Sequence, residues 1–167
     1  MAWYALLIAA VAVERIAELV VSQRNLAWSR AHGGVEFGAR HYPAMVVLHT
    51  ALLVGCLVEA FYRPFLPALG WPMLAVVLAA QGLRWWCITT LGHQWNTRVV
   101  VIPDAARVTG GPYRFFSHPN YVAVIVEGIA LPLVHTAWLT AAVFTALNAL
   151  VLHVRIGVEN AALARLR

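Results

Sequence analysis

Charged side chains are scarce in this sequence, and their scarcity excludes an ordinary soluble domain. Aspartate, glutamate, lysine and arginine make up 11% of the 167 residues, whereas hydrophobic residues make up 62%. A typical soluble domain has about 25% charged and about 45–50% apolar residues. The composition therefore predicts an all-α integral membrane protein, and the length suits a single domain covering residues 1–167.

Several common site motifs are missing as well. The sequence has no GxGxxG, P-loop, HExxH or CxxC pattern, which argues against a soluble nucleotide site and gives no reason to expect a metal site. Only two cysteines are present, and both Cys56 and Cys87 lie in apolar runs, which favours buried thiols over a disulfide. The net charge of +5 comes from arginines between apolar segments. Topology and anionic lipid explain it better than a nucleic-acid partner.

Apolar segments predict five membrane-spanning helices. The first three cover about residues 2–21, 43–61 and 71–90, the first being retained rather than cleaved as a signal peptide. An apolar run of about residues 121–154 is expected to form a hairpin of two helices with its turn near Pro132. Residues 1–90 would then carry the N-terminal spans and residues 91–167 a catalytic core.

Arginines are unevenly distributed over the connections, and their distribution predicts the orientation. Nine of them fall in the first loop, the central polar stretch and the tail: Arg24, Arg30, Arg40, Arg98, Arg107, Arg114, Arg155, Arg165 and Arg167. The second connection has only Arg63, and the hairpin turn has none. The positive-inside rule places the arginine-rich side in the cytoplasm, so we expect the N-terminus outside and the C-terminus inside.

Ionisable residues also lie within the expected spans. Arg15 and Glu18 are three residues apart and are expected to pair on one helix face. This pair lies either at the membrane interface or on a face that packs against the active site. Arg84, near a helix end, is expected to extend towards water. Glu127 is a candidate functional residue, although protonation, Arg84 or a histidine would also satisfy it.

The longest polar interval runs from residue 91 to 121 and ends in His118-Pro119-Asn120-Tyr121. Proline disfavours helix at the residue before it and suits the first helical turn. We therefore expect a helix to begin near Pro119, with His118 just outside it and Tyr121 in its first turn. The free backbone N–H groups there would favour an anion such as a carboxylate, although a simple helix start is the alternative.

Arg155 and Glu159 are four residues apart and should share one helix face, which Leu152 and Asn148 continue towards the membrane. The pair is either an exposed salt bridge of little energetic value or a buried pair that offers a ligand one charge of each sign.

Seven histidines leave open a different class of function, a membrane protein that binds haem through paired axial histidines. The candidates in or near the spans are His49, His93, His118, His135 and His153. Haem would need two of them facing each other at one depth.

Together these motifs resemble the isoprenylcysteine carboxyl methyltransferase family. The resemblance rests on GGPYRFFSHPNY, preceded by GHQW and followed after a hairpin by RIGVEN. Along nearly its full length, including ERIAELVVSQRN, the chain is most similar to a short bacterial branch that includes methyltransferases acting on alkylpyrones from type III polyketide synthases. Two positions depart from the family pattern: Ser117 replaces an arginine and Asn160 replaces a glutamate.

The resemblance implies a membrane enzyme that uses S-adenosylmethionine, with a cytoplasmic cofactor pocket in a bacterial inner membrane. The acceptor would be a lipophilic molecule with an anionic oxygen; an isoprenylcysteine carboxylate is the alternative. By resemblance, the cofactor-binding residues are His93, Gly111, Pro112, Tyr113, His118, Pro119, Tyr121 and Glu159. Arg155 and Glu159 are expected to be catalytic, and Arg155, Asn148 and Glu127 to bind the acceptor.

Overall fold

A computed structural model describes residues 1–39, 42–103, 105–106 and 108–165, without the side chain of Arg165. Three of the arginines used to predict the orientation lie outside these residues: Arg40, Arg107 and Arg167. Five long helices dominate the described part of the chain: α1 (Ala2–Ala31), α2 (Tyr42–Ala60), α3 (Pro67–Leu91), α4 (Pro119–Leu133) and α5 (Trp138–Arg165).

The helix bounds confirm most of the expected elements and correct one of them. The first helix does not end near residue 21 but continues to Ala31. The turn of the last hairpin lies at residues 134–137, near Pro132 as expected, and Pro132 itself is accommodated inside α4. α4 begins at Pro119 with His118 as its N-cap, as predicted. The polar tail continues α5 rather than forming a separate element.

Successive helices run in opposite directions, so the helix ends gather at two poles. At one pole the Tyr4 hydroxyl, at the start of α1, donates to the Leu131 carbonyl near the end of α4 at 2.9 Å. At the same pole Glu59, near the end of α2, accepts a hydrogen bond from the Thr140 backbone in the first turn of α5. The other pole carries the central polar stretch between α3 and α4, and we call it the polar pole.

The outward faces of the helices are apolar, as a membrane requires. α2, α3 and α5 are long and apolar enough to cross a bilayer, whereas α4 is a shorter apolar helix of 15 residues. Leu6, Leu78 and Leu150 are more than 60% exposed, and side chains of this kind suit contact with lipid. The prediction of an all-α membrane protein is thus confirmed in its main feature.

One small sheet was not predicted. β1 (Val35–Phe37) pairs with β2 (Val99–Val101) in an antiparallel ribbon at the polar pole, with Glu36 opposite Val100. The Glu36 carboxylate accepts hydrogen bonds from Arg98 at 2.7 Å and from Arg30 at 3.1 Å. The ribbon therefore ties the segment after α1 to the segment after α3.

Inside the bundle, five ionisable side chains form one cluster, which we call the ionic cluster: Glu14, Arg15, Glu18, Arg84 and Glu127. Arg15 pairs with Glu18 at 2.8 Å, as predicted, and with Glu127 at 3.0 Å. Arg84 was expected to extend towards water, and this prediction is wrong. It is 5% exposed and lies 2.7 Å from the Glu127 carboxylate, because that carboxylate on the neighbouring helix supplies the charge that a lone buried arginine would lack.

Candidate active site

An open cavity of about 660 Å³ lies at the polar pole. Its walls come from the polar stretch after α3, the ribbon strand β2, the start of α4 and the end of α5. Ligand pockets typically measure roughly 300–1,000 Å³. Five of the predicted site residues line this cavity: Tyr113, His118, Tyr121, Arg155 and Glu159.

The Tyr121 hydroxyl connects the two charged residues of α5. Arg155 donates from Nε to that hydroxyl at 2.9 Å, and the hydroxyl donates to the Glu159 carboxylate. The guanidinium carbon also lies 5.6 Å from the centre of the Tyr121 ring. The two charges therefore share one helix face, as their spacing predicts, but a phenol from α4 stands between them.

Arg155 is 6% exposed, and its described hydrogen-bond partners are neutral. Besides Tyr121, its Nη1 group donates to the Met45 sulfur in the first turn of α2 at 3.0 Å. Among the described residues no carboxylate lies within 4 Å of its guanidinium group. Because a buried charge without a counterion is costly, this arrangement favours an anionic ligand in the cavity beside Arg155.

His118 approaches the other oxygen of the Glu159 carboxylate. Its Nδ1 atom is 3.8 Å from a Glu159 carboxylate oxygen, and its ring stacks on Tyr121 with 5.3 Å between ring centres. At the helix start, the Tyr121 and Val122 amides both point at the His118 carbonyl. Two stacked aromatic rings thus lie beside a carboxylate, an arrangement that suits a cationic group through charge and ring-face attraction.

Tyr113 sits on a single 3₁₀ turn (Gly111–Arg114) that packs against the end of α3. Gly111 has φ +54°, and a Cβ there would lie 2.5 Å from the Thr90 hydroxyl, so the turn needs glycine. Burial raises the pKa of Tyr113 above its ordinary value, which keeps the hydroxyl neutral at physiological pH. Pro112 and Pro119 are fully buried and begin the turn and α4 respectively.

Six predicted site residues do not line the cavity: Gly111, Pro112 and Pro119, described above, and His93, Glu127 and Asn148. His93 is exposed and stacks on Trp28, with 5.1 Å between ring centres. Glu127 belongs to the ionic cluster. Asn148 is 2% exposed, and its Oδ1 atom has no hydrogen-bond partner among the described residues.

Sequence reasoning missed a polar face on the second half of α1. Ser22, Asn25 and Ser29 are all buried, and their spacing of three and four residues places them on one face. Asn25 donates to the Trp95 carbonyl at 2.8 Å, and the Thr97 amide donates to the Ser22 hydroxyl at 3.0 Å. This face therefore fixes the loop that forms one cavity wall. The helical spacing of these three polar residues was the sequence signal that could have predicted this face.

The histidines considered as haem ligands are dispersed. His135 lies against Tyr4 at the pole opposite the cavity, and His153 is exposed on α5. His49 packs edge-on against Phe144 within the bundle. No group of three or more histidine, cysteine or acidic residues is placed to hold a metal ion within the described ranges.

The two departures from the family pattern lie at or near the cavity. Ser117 lines it and is exposed, whereas Asn160 is exposed beside Glu159 on α5. Arg98 and Arg114 also line the cavity. Arg98 is engaged by Glu36, so Arg114 is the better placed of the two to supply the positive charge that Ser117 lacks.

Comparisons with known proteins agree with the motif resemblance. The sequence profile of the isoprenylcysteine carboxyl methyltransferase family matches residues 73–165. The chain is 37% identical over 159 residues, 95% of each chain, to the uncharacterized protein YpbQ of Bacillus subtilis (strain 168). It is 26% identical over 154 residues to an uncharacterized protein of Haemophilus influenzae, covering 91% of this chain and 90% of that one.

Proposed function

The chain belongs to the isoprenylcysteine carboxyl methyltransferase family, a family of membrane methyltransferases, and from this premise we propose that it methylates an anionic oxygen of a lipophilic acceptor, using S-adenosylmethionine. The observation that carries the proposal is the buried Arg155, held in the cavity by a phenol and a thioether and by no carboxylate among the described residues. Such a cation selects an anion.

The chemistry of the cavity walls fits the cofactor. S-adenosylmethionine carries a sulfonium and an ammonium, both cationic, and also a carboxylate and an adenine ring. Glu159, whose two carboxylate oxygens face the His118 ring nitrogen and the Tyr121 hydroxyl, would hold a cationic part. Trp95 and Asn120 line the cavity, and each has one buried polar side-chain atom, Nε1 and Oδ1 respectively, without a hydrogen-bond partner in the described protein. These atoms could bond to the cofactor. His93, Gly111, Pro112 and Pro119 were predicted to bind the cofactor and do not line the cavity. Gly111, Pro112 and Pro119 would instead support its wall through the 3₁₀ turn and the start of α4.

When bound, the cofactor supplies an electrophilic methyl group, whose bond to sulfur breaks as its bond to the acceptor oxygen forms, leaving a neutral thioether. A carboxylate or an acidic enol, such as a 4-hydroxypyrone, is already ionised near neutral pH. No side chain then has to remove a proton.

The side chains would act by position and charge. Arg155 would hold the acceptor oxygen as an anion and aim it, while Tyr121 fixes the guanidinium group from α4. Glu159 would hold the cationic side of the cofactor and, through the same phenol, keep Arg155 in place. Positioning and fixed charges of this kind account for large parts of many enzymatic rate enhancements.

The proposal also covers the identity of the methyl acceptor and the side of the membrane on which the cavity lies. An alkylpyrone from a type III polyketide synthase pathway suits an anionic head with an apolar tail, and isoprenylcysteine is the alternative. The cavity lies at the arginine-rich pole, which supports a cytoplasmic site, an external N-terminus and a bacterial inner membrane. A soluble cofactor would then reach the cavity from water, and a lipophilic acceptor from the bilayer.

The first test is calorimetric titration of S-adenosylhomocysteine into detergent-solubilised protein. We expect His118→Ala to weaken binding at least tenfold, about 1.4 kcal/mol, and His153→Ala, an exposed control on α5, to leave it unchanged. No binding to folded wild-type protein would refute the proposed function.

A second variant separates the two roles. We expect Arg155→Met to lower methyl transfer to an alkylpyrone roughly 100-fold or more, the usual cost of losing one transition-state charge contact, while the dissociation constant for S-adenosylhomocysteine changes less than about threefold. Retained turnover in Arg155→Met would contradict the role given to Arg155. Parallel assays with a farnesylcysteine acceptor decide between the two acceptor classes.

A further inference from the structure

Trp95 lies in the loop after α3 and is the most deeply buried aromatic side chain of the cavity wall, at 2% exposure. Its indole N–H group has no hydrogen-bond partner in the described protein. Native proteins leave few buried N–H groups unpaired, because each one forfeits its hydrogen bond to water without replacement. Because Trp95 lines the ligand cavity, its unpaired donor points to an acceptor atom that arrives with the ligand.

The protein holds the backbone of Trp95 firmly. Asn25 on α1 donates from one amide nitrogen to the Trp95 carbonyl at 2.8 Å and to the Gly92 carbonyl at 3.0 Å. The Trp95 amide donates to the Gly92 carbonyl at 3.1 Å. Both ends of the short loop are thus fixed to α1, while the side-chain donor is left without a partner. The backbone of this loop is therefore satisfied before any ligand binds.

From these observations we infer that the Trp95 indole N–H group is a cofactor-binding donor, a role that rests on the proposed function. An indole nitrogen only donates hydrogen bonds, so its partner is an acceptor: a carboxylate oxygen or a ring nitrogen of the nucleoside. Trp95 belongs to the polar loop and not to a lipid-facing helix, whereas Arg155 contacts Met45 of the membrane helix α2. The soluble cofactor is therefore the better match for Trp95, and the lipophilic acceptor for Arg155.

Asn120 supplies a second unpaired atom of opposite polarity. Its Oδ1 atom is buried without a partner on the same cavity wall. A carbonyl oxygen accepts hydrogen bonds, so it suits an ammonium or an exocyclic amino group. S-adenosylmethionine offers a donor and an acceptor of these kinds, in its amino-acid part and in its adenine ring.

The test is calorimetry on Trp95→Phe, which removes the donor and keeps an aromatic ring. We expect S-adenosylhomocysteine to bind about tenfold more weakly than to wild type, about 1.4 kcal/mol. Trp71→Phe, at the opposite pole, is the control and should bind like wild type. Thermal unfolding without ligand measures any packing loss separately.

A second ligand locates the contact. 5′-Methylthioadenosine keeps the nucleoside and lacks the carboxylate, so weaker binding of both ligands to Trp95→Phe places the contact on the nucleoside. Weaker binding of S-adenosylhomocysteine alone places it on the carboxylate. Unchanged binding of both ligands, or an effect confined to the KM of the methyl acceptor, would overturn the inference.

If Trp95→Phe does not fold, Asn120→Ala at a half-buried position keeps the assignment of this wall testable, with an expected several-fold loss of S-adenosylhomocysteine affinity. Unchanged affinity in that variant would also refute the assignment. Failure of wild type itself to bind would instead refute the proposed function, so the two failures are distinguishable.

Discussion

Replacing Glu127 by glutamine, and Arg84 by methionine, tests whether the ionic cluster is held by its charge balance. The cluster contains three carboxylates and two guanidinium groups within 4 Å of a partner, among them Glu127 and Arg84 at 2.7 Å. Glu127→Gln removes the excess negative charge and leaves two of each sign, and the new amide oxygen still accepts hydrogen bonds. Arg84→Met leaves three carboxylates around one remaining guanidinium group.

These counts predict unequal losses of stability. Arg84→Met breaks a buried pair and deepens the imbalance, at a cost of about 3–5 kcal/mol. Glu127→Gln weakens charge-assisted hydrogen bonds without creating an imbalance, at a cost of about 1–2 kcal/mol. In a chain of this length each kcal/mol lowers the unfolding temperature by about 2–4 °C.

Thermal unfolding in one detergent, followed by circular dichroism, measures both losses. The double variant completes a cycle and should be more stable than the sum of the single losses implies, because the two side chains are in contact. A loss for Glu127→Gln equal to or larger than that for Arg84→Met would refute the charge-balance argument. Normal S-adenosylhomocysteine affinity in folded Glu127→Gln is expected as well, since Glu127 lies outside the cavity lining.

Two further predictions concern packing and pH. Gly128→Ala should destabilise the fold by about 1–3 kcal/mol through overpacking, because the new Cβ would lie 2.1 Å from the buried Phe144 ring. Gly157→Ala has nothing within 4 Å of the new Cβ and should gain about 0.5–1 kcal/mol of helix stability. Equal unfolding temperatures for the two variants would contradict this prediction. The hydrogen bond from Arg98 holds the pKa of Glu36 below its ordinary value, so its stabilising contribution is complete above about pH 4.3 and is lost as pH falls through the folded-state pKa. Between pH 6 and pH 3 the unfolding temperature should therefore fall more in wild type than in Glu36→Gln. An identical fall in both would show that ionised Glu36 does not stabilise the fold.

The sequence predicted those features that depend on residues close to one another along the chain. The proline at 119 set the start of α4, and the spacing of Arg15 and Glu18 predicted their pairing. Helix periodicity also placed Arg155 and Glu159 on one face. It could not reveal that the Tyr121 hydroxyl enters between them, because that contact depends on how α4 packs against α5.

Longer-range features were beyond the sequence pattern. The second half of α1 is too polar for a membrane span, so hydropathy ended the helix early, although buried partners of Ser22 and Asn25 stabilise it. The pairing of Arg84 with Glu127 was one of the alternatives that the sequence left open. The sequence pattern could not select it over an Arg84 side chain that reaches water, because Glu127 lies 43 residues away on another helix. The strands of the ribbon have three residues each, too few for a period-two pattern to be recognised.

The attachment of α1 to the loop after α3 also constrains how the chain is synthesised and inserted. Asn25 leaves the ribosome 70 residues before Trp95, its hydrogen-bonding partner. At about 5–20 residues per second, that interval is roughly 4–14 s. Until Trp95 has been synthesised, the polar face of the first helix must stay in water or bound to the insertion machinery, while α2 and α3 enter the bilayer. We therefore expect the cavity wall to be completed late in biogenesis, and truncated chains that end before residue 95 to expose this face to proteases and chaperones.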